Sequence, residues 1–347
     1  MIPAELARRF RGCLLGGAVG DALGAAVEFM SLAEIRSRHG GRGIMEYAEV
    51  YGRRGGITDD TQMTLFTAEG LIRLAASRTT KYPQEALAML HRSYLRWLHT
   101  QAVRSAHPTY EDALSGWLIR MPELHSQRAP GNTVLSALRL PQPGTVQHPI
   151  NDSKGCGGVM RVAPIGLFGE RTFDLACQSC AITHGHPSGY LAGGAFAVII
   201  EHVIHGSPVP QAVAKMREQY ASVLSDEVRG AIDKALLAAA KSPRNAETVE
   251  SLGAGWVAEE ALAIAIYCAL VAHDFADGVV LAVNHSGDSD STGAMVGNLL
   301  GAAWGVESIP DAWLQPLELA EEIAMIADDL LGAHLGQPVD FARYPPE

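Results

Sequence analysis

Residues 284–305 read NHSGDSDSTGAMVGNLLGAAWG, and Gly293, Gly297, Gly301 and Gly305 recur in this run every four residues. Four is the spacing of one ridge of an α-helix, so the run reads as a helix with a stripe free of side chains. Glycine inside a helix is unfavourable by roughly 1 kcal/mol per site, and a sequence that repeats it needs a compensating gain. The expected gain is another backbone approaching closer than the usual interaxial spacing of about 8–10 Å. The stretch GCLLGGAVGDALGAAVEF at 12–29 carries Gly16, Gly20 and Gly24 at the same interval. A membrane-dimer stripe is excluded, because Asp21 and Trp304 interrupt segments too short to span. Residues at the ends of these helices are therefore expected to converge tightly.

Outward from these stretches the periodicity stays helical. Leu87, Leu90, Tyr94 and Trp97 follow one helix face, as do Val213, Met216 and Tyr220, and Ala231, Ala235, Leu236 and Ala239. Leu191 to Ile200 and Ala261 to Ala272 are apolar runs too short for a bilayer and read as buried helices. Alternating strands with β-branched residues are not evident, and Pro and Gly clusters punctuate the chain without a linker of low complexity. The expectation is one all-α domain over residues 1–347 with long loops. A helical domain with a small cap near residues 100–150 is the second reading.

Three acidic clusters lie beside the glycine stretches: Asp21 with Glu28, Thr58-Asp59-Asp60-Thr61, and Asp288 with Asp290. Each follows a glycine and precedes a helical pattern, which places each near a helix N-terminus. N-capping explains one such residue per helix. Two carboxylates with neighbouring hydroxyls at one place repel each other unless a cation neutralises them. Oxygen donors from Asp, Ser and Thr suit a hard cation such as Mg²⁺ or Mn²⁺. Cys177, Cys180, His184 and His186 mimic zinc-ligand spacing. They lack the second pair of a zinc ribbon, and RTFDLACQSCAITH at 171–184 reads as a helix with two buried Cys and a His loop after it. The run Ser153-Lys154-Gly155-Cys156-Gly157-Gly158 suits backbone approach to phosphate or a simple turn, and no GK[ST] follows it.

With these motifs in hand, the sequence resembles the ADP-ribosylglycohydrolase family. The resembling stretches are 12–29, GGITDDTQM at 55–63, RAPGNTVLSAL at 128–138, NDSKGCGGVMRVAPIGL at 151–167, THGHPSGYLAGGA at 183–195, and 284–305. They cover nearly the whole chain in the family's order, and the TDD and GDSDS elements together are highly specific. The resemblance implies an all-α orthogonal helical bundle with a central dinuclear site of two Mg²⁺ or Mn²⁺ ions. The matched metal ligands are Thr58, Asp59, Asp60, Asp288, Asp290 and Ser291, with Ser291 where many members have Thr. Glu28 matches a glutamate beside the metals, and Glu28 or Asp60 is the implied proton acceptor. Ser153 to Gly158 would wrap the ADP-ribose phosphates together with Met160. Arg128, Gly131 and Asn132 would line the other side, and His184 would lie near the ligand. Cys156 departs from the Asn or other small residue that relatives often carry.

The implied activity is metal-dependent removal of ADP-ribose from a modified protein side chain. ADP-ribosyl-arginine is expected ahead of the serine linkage or another ADP-ribose conjugate, because the GDSDSTGA and GCGGVMRVAPIG forms resemble bacterial members that act on arginine adducts and, secondarily, because an acidic field attracts a guanidinium leaving group. The implied partners are an ADP-ribosylated protein, the ADP-ribose product and, in some bacterial relatives, a cognate ADP-ribosylating toxin or transferase. A two-metal phosphohydrolase cutting the diphosphate and a non-catalytic ADP-ribose-binding protein are the rival readings. Hydrophobic residues make up 48% and charged residues 19% of the 347 residues, which excludes a mostly disordered chain. With 27 Lys and Arg against 38 Asp and Glu, the formal net charge is −11, an unfavourable balance for nucleic acid. Five cysteines suit a reducing cytoplasm better than a disulfide framework. No membrane segment or secretory leader is expected, since glycines, Asp21 and Glu28 break the N-terminal apolar run.

Overall fold

The two glycine stripes face each other. In the computed structural model, which describes residues 4–77 and 84–346, the N-terminal helix Ala4–Gly24 crosses the helix Ser289–Trp304 in antiparallel register. Gly12 lies on Gly301, Gly16 on Gly297, Gly20 on Gly293 and Gly24 on Ser289. A Cβ at any of these glycines would enter the backbone of the facing helix, so the backbones themselves are in contact. Gly17 gives room to the Asn298 side chain, whose Nδ2 donates to the Cys13 carbonyl at 2.7 Å. Gly12 thus completes the stripe at its outer end. Gly305 ends the same ridge, with its backbone against Gly12 and its α-carbon facing Arg8, and at φ +81° it also caps the C-terminus of its helix.

Seventeen α-helices make up most of the described residues, so the expectation of a helical protein holds. The expected buried helices form as Pro187–Ile204 and Ala258–Val271. The first extends the apolar run to 18 residues, long and apolar enough to cross a membrane, yet 72% of it is buried inside the protein. Leu90, Tyr94 and Trp97 are fully buried on Gln84–Thr100, as the spacing predicts. Residues 101–131 carry short helical turns, and part of them forms a small apolar cluster of Tyr110 and Ala113 on Leu95.

Two local features differ from the sequence expectation. A two-stranded hairpin, Glu49–Val50 paired with Arg53–Arg54, interrupts the helical pattern. Its two-residue turn, Tyr51-Gly52, has φ +54° and +77°, the primed geometry that matches strand twist. Four strand residues are too few to show an alternating pattern. The first acidic cluster also does not begin a helix. Asp21 lies in the last turn of Ala4–Gly24, at the negative end of its dipole, and Glu28 follows in the turn beyond. Asp59 and Asp60 do open the helix Asp59–Ser77, and Asp288 and Asp290 stand at the start of Ser289–Trp304.

Because the crossing is antiparallel, the last turn of one glycine helix meets the first turn of the other, and Asp21 and Glu28 arrive beside Asp288 and Asp290. Gly297→Leu is expected to destabilise the protein by roughly 1–3 kcal/mol or more, because the added side chain has only the Gly16 backbone to displace. A thermal unfolding midpoint equal to the parent's would contradict the contact.

Candidate metal centre and active site

Glu28, Asp288 and Asp290 are buried, and each offers a carboxylate oxygen within 4.8 Å of the others. They come from the turn after one glycine helix and the first turn of the other. Asp59 and Asp60 stand on the neighbouring helix start. There the Asp60 N–H donates to Thr58 Oγ1 at 3.2 Å, and the Asp59 N–H to the Arg128 carbonyl at 3.1 Å. All five carboxylates are at most 7% exposed. Asp60 Oδ2 is buried with no hydrogen-bond partner. Ser291 follows Asp290, whose Oδ1 accepts the Ser291 N–H at 3.0 Å.

Burial and mutual repulsion act on this group together. Burial first, then Asp288, Asp59 and Asp21, push Glu28 up to about 9. Burial likewise holds Asp59, Asp60 and Asp290 well above the usual carboxylate range, each with neighbouring aspartates adding to the shift. Removing like charges from water is unfavourable unless something neutralises them. An all-oxygen donor set, one carboxylate oxygen without a partner and this concentration of negative charge fit a hard divalent cation.

Asp21 sits behind the group in a different role. Its carboxylate accepts from the N–H groups of Thr58 at 3.0 Å and Thr61 at 3.1 Å, and from the Thr61 hydroxyl. Burial lifts Asp21 to about 6, and the Thr61 and Thr58 donors restrain the rise. The charge at the end of one helix is thus met by the positive end of another, and the Thr58-Asp59-Asp60 turn is pinned by it.

Glu318 was not legible in the sequence. It lies 1% exposed on a turn near the C-terminus, and no motif marks it. Its Oε2 accepts from the Ile57 N–H at 3.1 Å and Arg128 Nη1 at 2.7 Å, while Oε1 accepts from Arg128 Nη2 at 3.0 Å and Arg53 Nη1 at 2.8 Å. The hairpin, the Arg128 loop and the residue before Thr58 are all tied to one carboxylate. The Arg128 guanidinium, expected at the ligand, is engaged by Glu318 and lies 4.8 Å from the centroid of the Tyr51 ring.

The glycine-rich loop reaches the same place from another side. Cys156 Sγ donates to Asp288 Oδ2 at 2.6 Å, and burial followed by Asp288 holds the thiol well above its ordinary range. The Cys156 N–H donates to the Trp256 carbonyl at 3.0 Å, and Gly155 pairs with Val257. Lys154 turns away to Glu227 at 3.1 Å and to Glu259. Ser153 Oγ is 3.4 Å from Thr133 Oγ1, joining this loop to the short helix Asn132–Leu138, where Gly131 and Asn132 are exposed. Gly157 and Gly158 lie in the 3₁₀ turn Cys156–Arg161, with Gly157 against the His184 ring and Gly158 against Cys180. Met160 Sδ is 3.9 Å from Ser291 Oγ. His184 is buried with Nδ1 2.8 Å from Thr183 Oγ1, and burial, then Arg161, push it down to about 3, so the ring is neutral. Of the zinc-like spacing, the Cys177 and Cys180 thiols lie against Gly194 and Gly193 of Pro187–Ile204, and His186 Nδ1 caps that helix.

Two measurements check this electrostatic reading. A carboxyl whose folded value is raised binds more protons folded than unfolded, so its contribution to stability falls as pH rises through that range. The buried histidines His91, His184 and His285 titrate below 6.5 in both states and do not oppose this above about pH 7.5. In EDTA the melting temperature is expected to fall between about pH 7.5 and 8.5, and Mn²⁺ or Mg²⁺ to raise it and flatten the slope. A metal-free protein more stable at the higher pH would contradict the crowded-carboxylate picture. Glu318→Ala strands Arg128 and is expected to lose about 3–5 kcal/mol. Removing Arg128 as well should restore part of that loss, and additive losses in the double variant would argue against the pair.

Comparison with known proteins gives the family. The family profile described as ADP-ribosylglycohydrolase matches residues 2–338. The chain is 28% identical over 322 residues to the ADP-ribosyl-[dinitrogen reductase] glycohydrolase of Rhodospirillum rubrum, covering 90% of this chain and 92% of that protein. It is 27% identical over 336 residues to the ADP-ribosylarginine hydrolase Tri1 of Serratia proteamaculans, covering 95% of this chain and 81% of that one. A solved structure described as an ADP-ribosylglycohydrolase-related protein complex superposes with a TM-score of 0.68 at 26% identity, over 96% of this chain and all of the other. A helical fold closed by two glycine helices, with a buried Glu-Asp-Asp group at their junction and a match over nearly its full length, places this chain in the ADP-ribosylglycohydrolase family.

Proposed function

We propose that this protein hydrolyses the N-glycosidic bond between ADP-ribose and an arginine side chain of a modified protein, using two Mg²⁺ or Mn²⁺ ions. The observation that carries the reading is the buried Glu28-Asp288-Asp290 group in a chain of this family. Thr58, Asp59, Asp60, Asp288, Asp290 and Ser291 would hold the ions. When bound, they supply positive charge that fixes the ribose hydroxyls and makes water a stronger nucleophile.

The remaining steps belong to the chain's own groups. The diphosphate lies along Ser153–Gly158, where small residues allow close backbone approach. As the bond from the anomeric carbon to nitrogen lengthens, positive charge grows on the ribose ring, and the surrounding carboxylates stabilise it. Water adds to the anomeric carbon, and Glu28 or Asp60 takes its proton. The guanidine departs with its bonding electron pair and takes up the proton that the carboxylate removed from water, leaving free ADP-ribose and the carboxylate restored.

The arginine linkage is favoured by the negative field and by the name of the Serratia relative. The test offers arginine- and serine-linked ADP-ribose on equal peptides, with and without EDTA, and identifies products. Release of ADP-ribose, faster from arginine and lost in EDTA, is expected. AMP and ribose phosphate would instead mark a phosphohydrolase, and a preference for serine would overturn the linkage. Asp59→Ala and Asp290→Ala should abolish release while circular dichroism stays helical, and near-normal turnover in either would refute the ligand assignment.

A further inference from the structure

Two large aromatic side chains stand in solvent beside the acidic group. Phe29 is 74% exposed and Trp256 is 41% exposed, and their rings stack with centroids 5.6 Å apart at an interplanar angle of 18°. Both belong to segments that build the site. Phe29 directly follows Glu28. Trp256 directly follows Gly255, which at φ +81° packs on the Asp288 and Thr292 side chains, and the Trp256 carbonyl accepts the Cys156 N–H at 3.0 Å. The pair therefore bridges the turn carrying Glu28 and the loop resting on Asp288. Exposed aromatic surface of this size marks a place where a ligand or partner is received.

The chemistry of that place favours a planar cation. An aromatic face attracts guanidinium through its quadrupole, and guanidinium is weakly hydrated and stacks readily. Within this protein Arg161 lies 4.2 Å over the Tyr94 ring and Arg128 4.8 Å over the Tyr51 ring. The pair is joined to the acidic group through the chain, Phe29 following Glu28 and Trp256 following the Gly255 that lies on Asp288, so a leaving group at the centre would meet it. A neutral hydroxyl leaving group obtains neither the attraction nor the stacking.

We propose that the Phe29–Trp256 pair is the platform on which the guanidinium of the departing arginine lies, and that it determines the preference for a cationic leaving group. This rests on the glycohydrolase reading above and adds to it the residues that select the leaving group.

The test uses Trp256→Leu, Phe29→Leu and Trp256→Phe in the full chain. With ADP-ribosyl-arginine peptide, the two leucine variants are expected to lower kcat/KM about tenfold, mainly through KM, while Trp256→Phe keeps most of it. With the serine-linked peptide and with free ADP-ribose, KM and Kd should stay within twofold of the parent. A second measurement does not depend on turnover: calorimetry in EDTA with ADP-ribosyl-arginine and with free ADP-ribose. The parent should bind the arginine conjugate more tightly, and the leucine variants should erase that difference. Equal losses for both linkages, weaker binding of free ADP-ribose, or a parent that does not distinguish the two ligands would overturn the proposal. Failure of the parent to release ADP-ribose from any linkage, with the binding difference intact, would overturn the enzymatic reading alone.

Discussion

Backbone contact between Ala4–Gly24 and Ser289–Trp304 is the constraint from which the site follows. Helices bearing ordinary side chains stand about 8–10 Å apart, whereas here the two backbones touch. With Gly12, Gly16, Gly20 and Gly24 set on Gly301, Gly297, Gly293 and Ser289, the ends meet, and Glu28 reaches Asp288 and Asp290. The unfavourable glycines and the crowded carboxylates are thus two aspects of one arrangement.

Holding that charge in place falls to residues that stay out of the centre. Asp21 anchors the start of Asp59–Ser77 through three donors. Glu318 fixes Ile57, Arg128 and Arg53. Cys156 ties the glycine-rich loop to Asp288. Each lies in a segment distant along the chain from the group it steadies, so the geometry of the centre is over-determined from several directions. Such support is what keeps like charges at fixed positions against their repulsion.

Much of this was readable in the residues, for physical reasons. A four-residue glycine repeat has one economical explanation, and it predicted close helix contact, although not that the two stripes are each other's partners. TDD and GDSDS pointed to a cation site because one capping residue per helix start leaves the second acid unexplained, and the fold does gather Glu28, Asp288 and Asp290 into one buried group. What escaped was non-local. Asp21 sits at a helix C-terminus, where no capping rule puts an acid, and its partners lie near residue 60. Glu318 resembles any glutamate in an amphipathic turn until the fold buries it. The Tyr51-Gly52 hairpin is too short to leave a period, and the stacking of Phe29 on Trp256 joins residues more than two hundred positions apart.

The pairing of the first helix with one near residue 300 also governs how the chain comes into being. Synthesis runs from the N-terminus at about 5–20 residues per second, so Ala4–Gly24 waits on the order of 15–60 s for its counterpart to be made. During that interval a helix weakened by its glycines has no matching surface, and no segment resembling the finished centre exists. The centre is therefore closed late, by the last third of the chain. A ribosome-bound or C-terminally cut fragment carries Glu28, Thr58, Asp59 and Asp60 but neither Asp288 nor Asp290. A cation held by that acidic group would then bind only the completed molecule, sealing the finished topology rather than nucleating it.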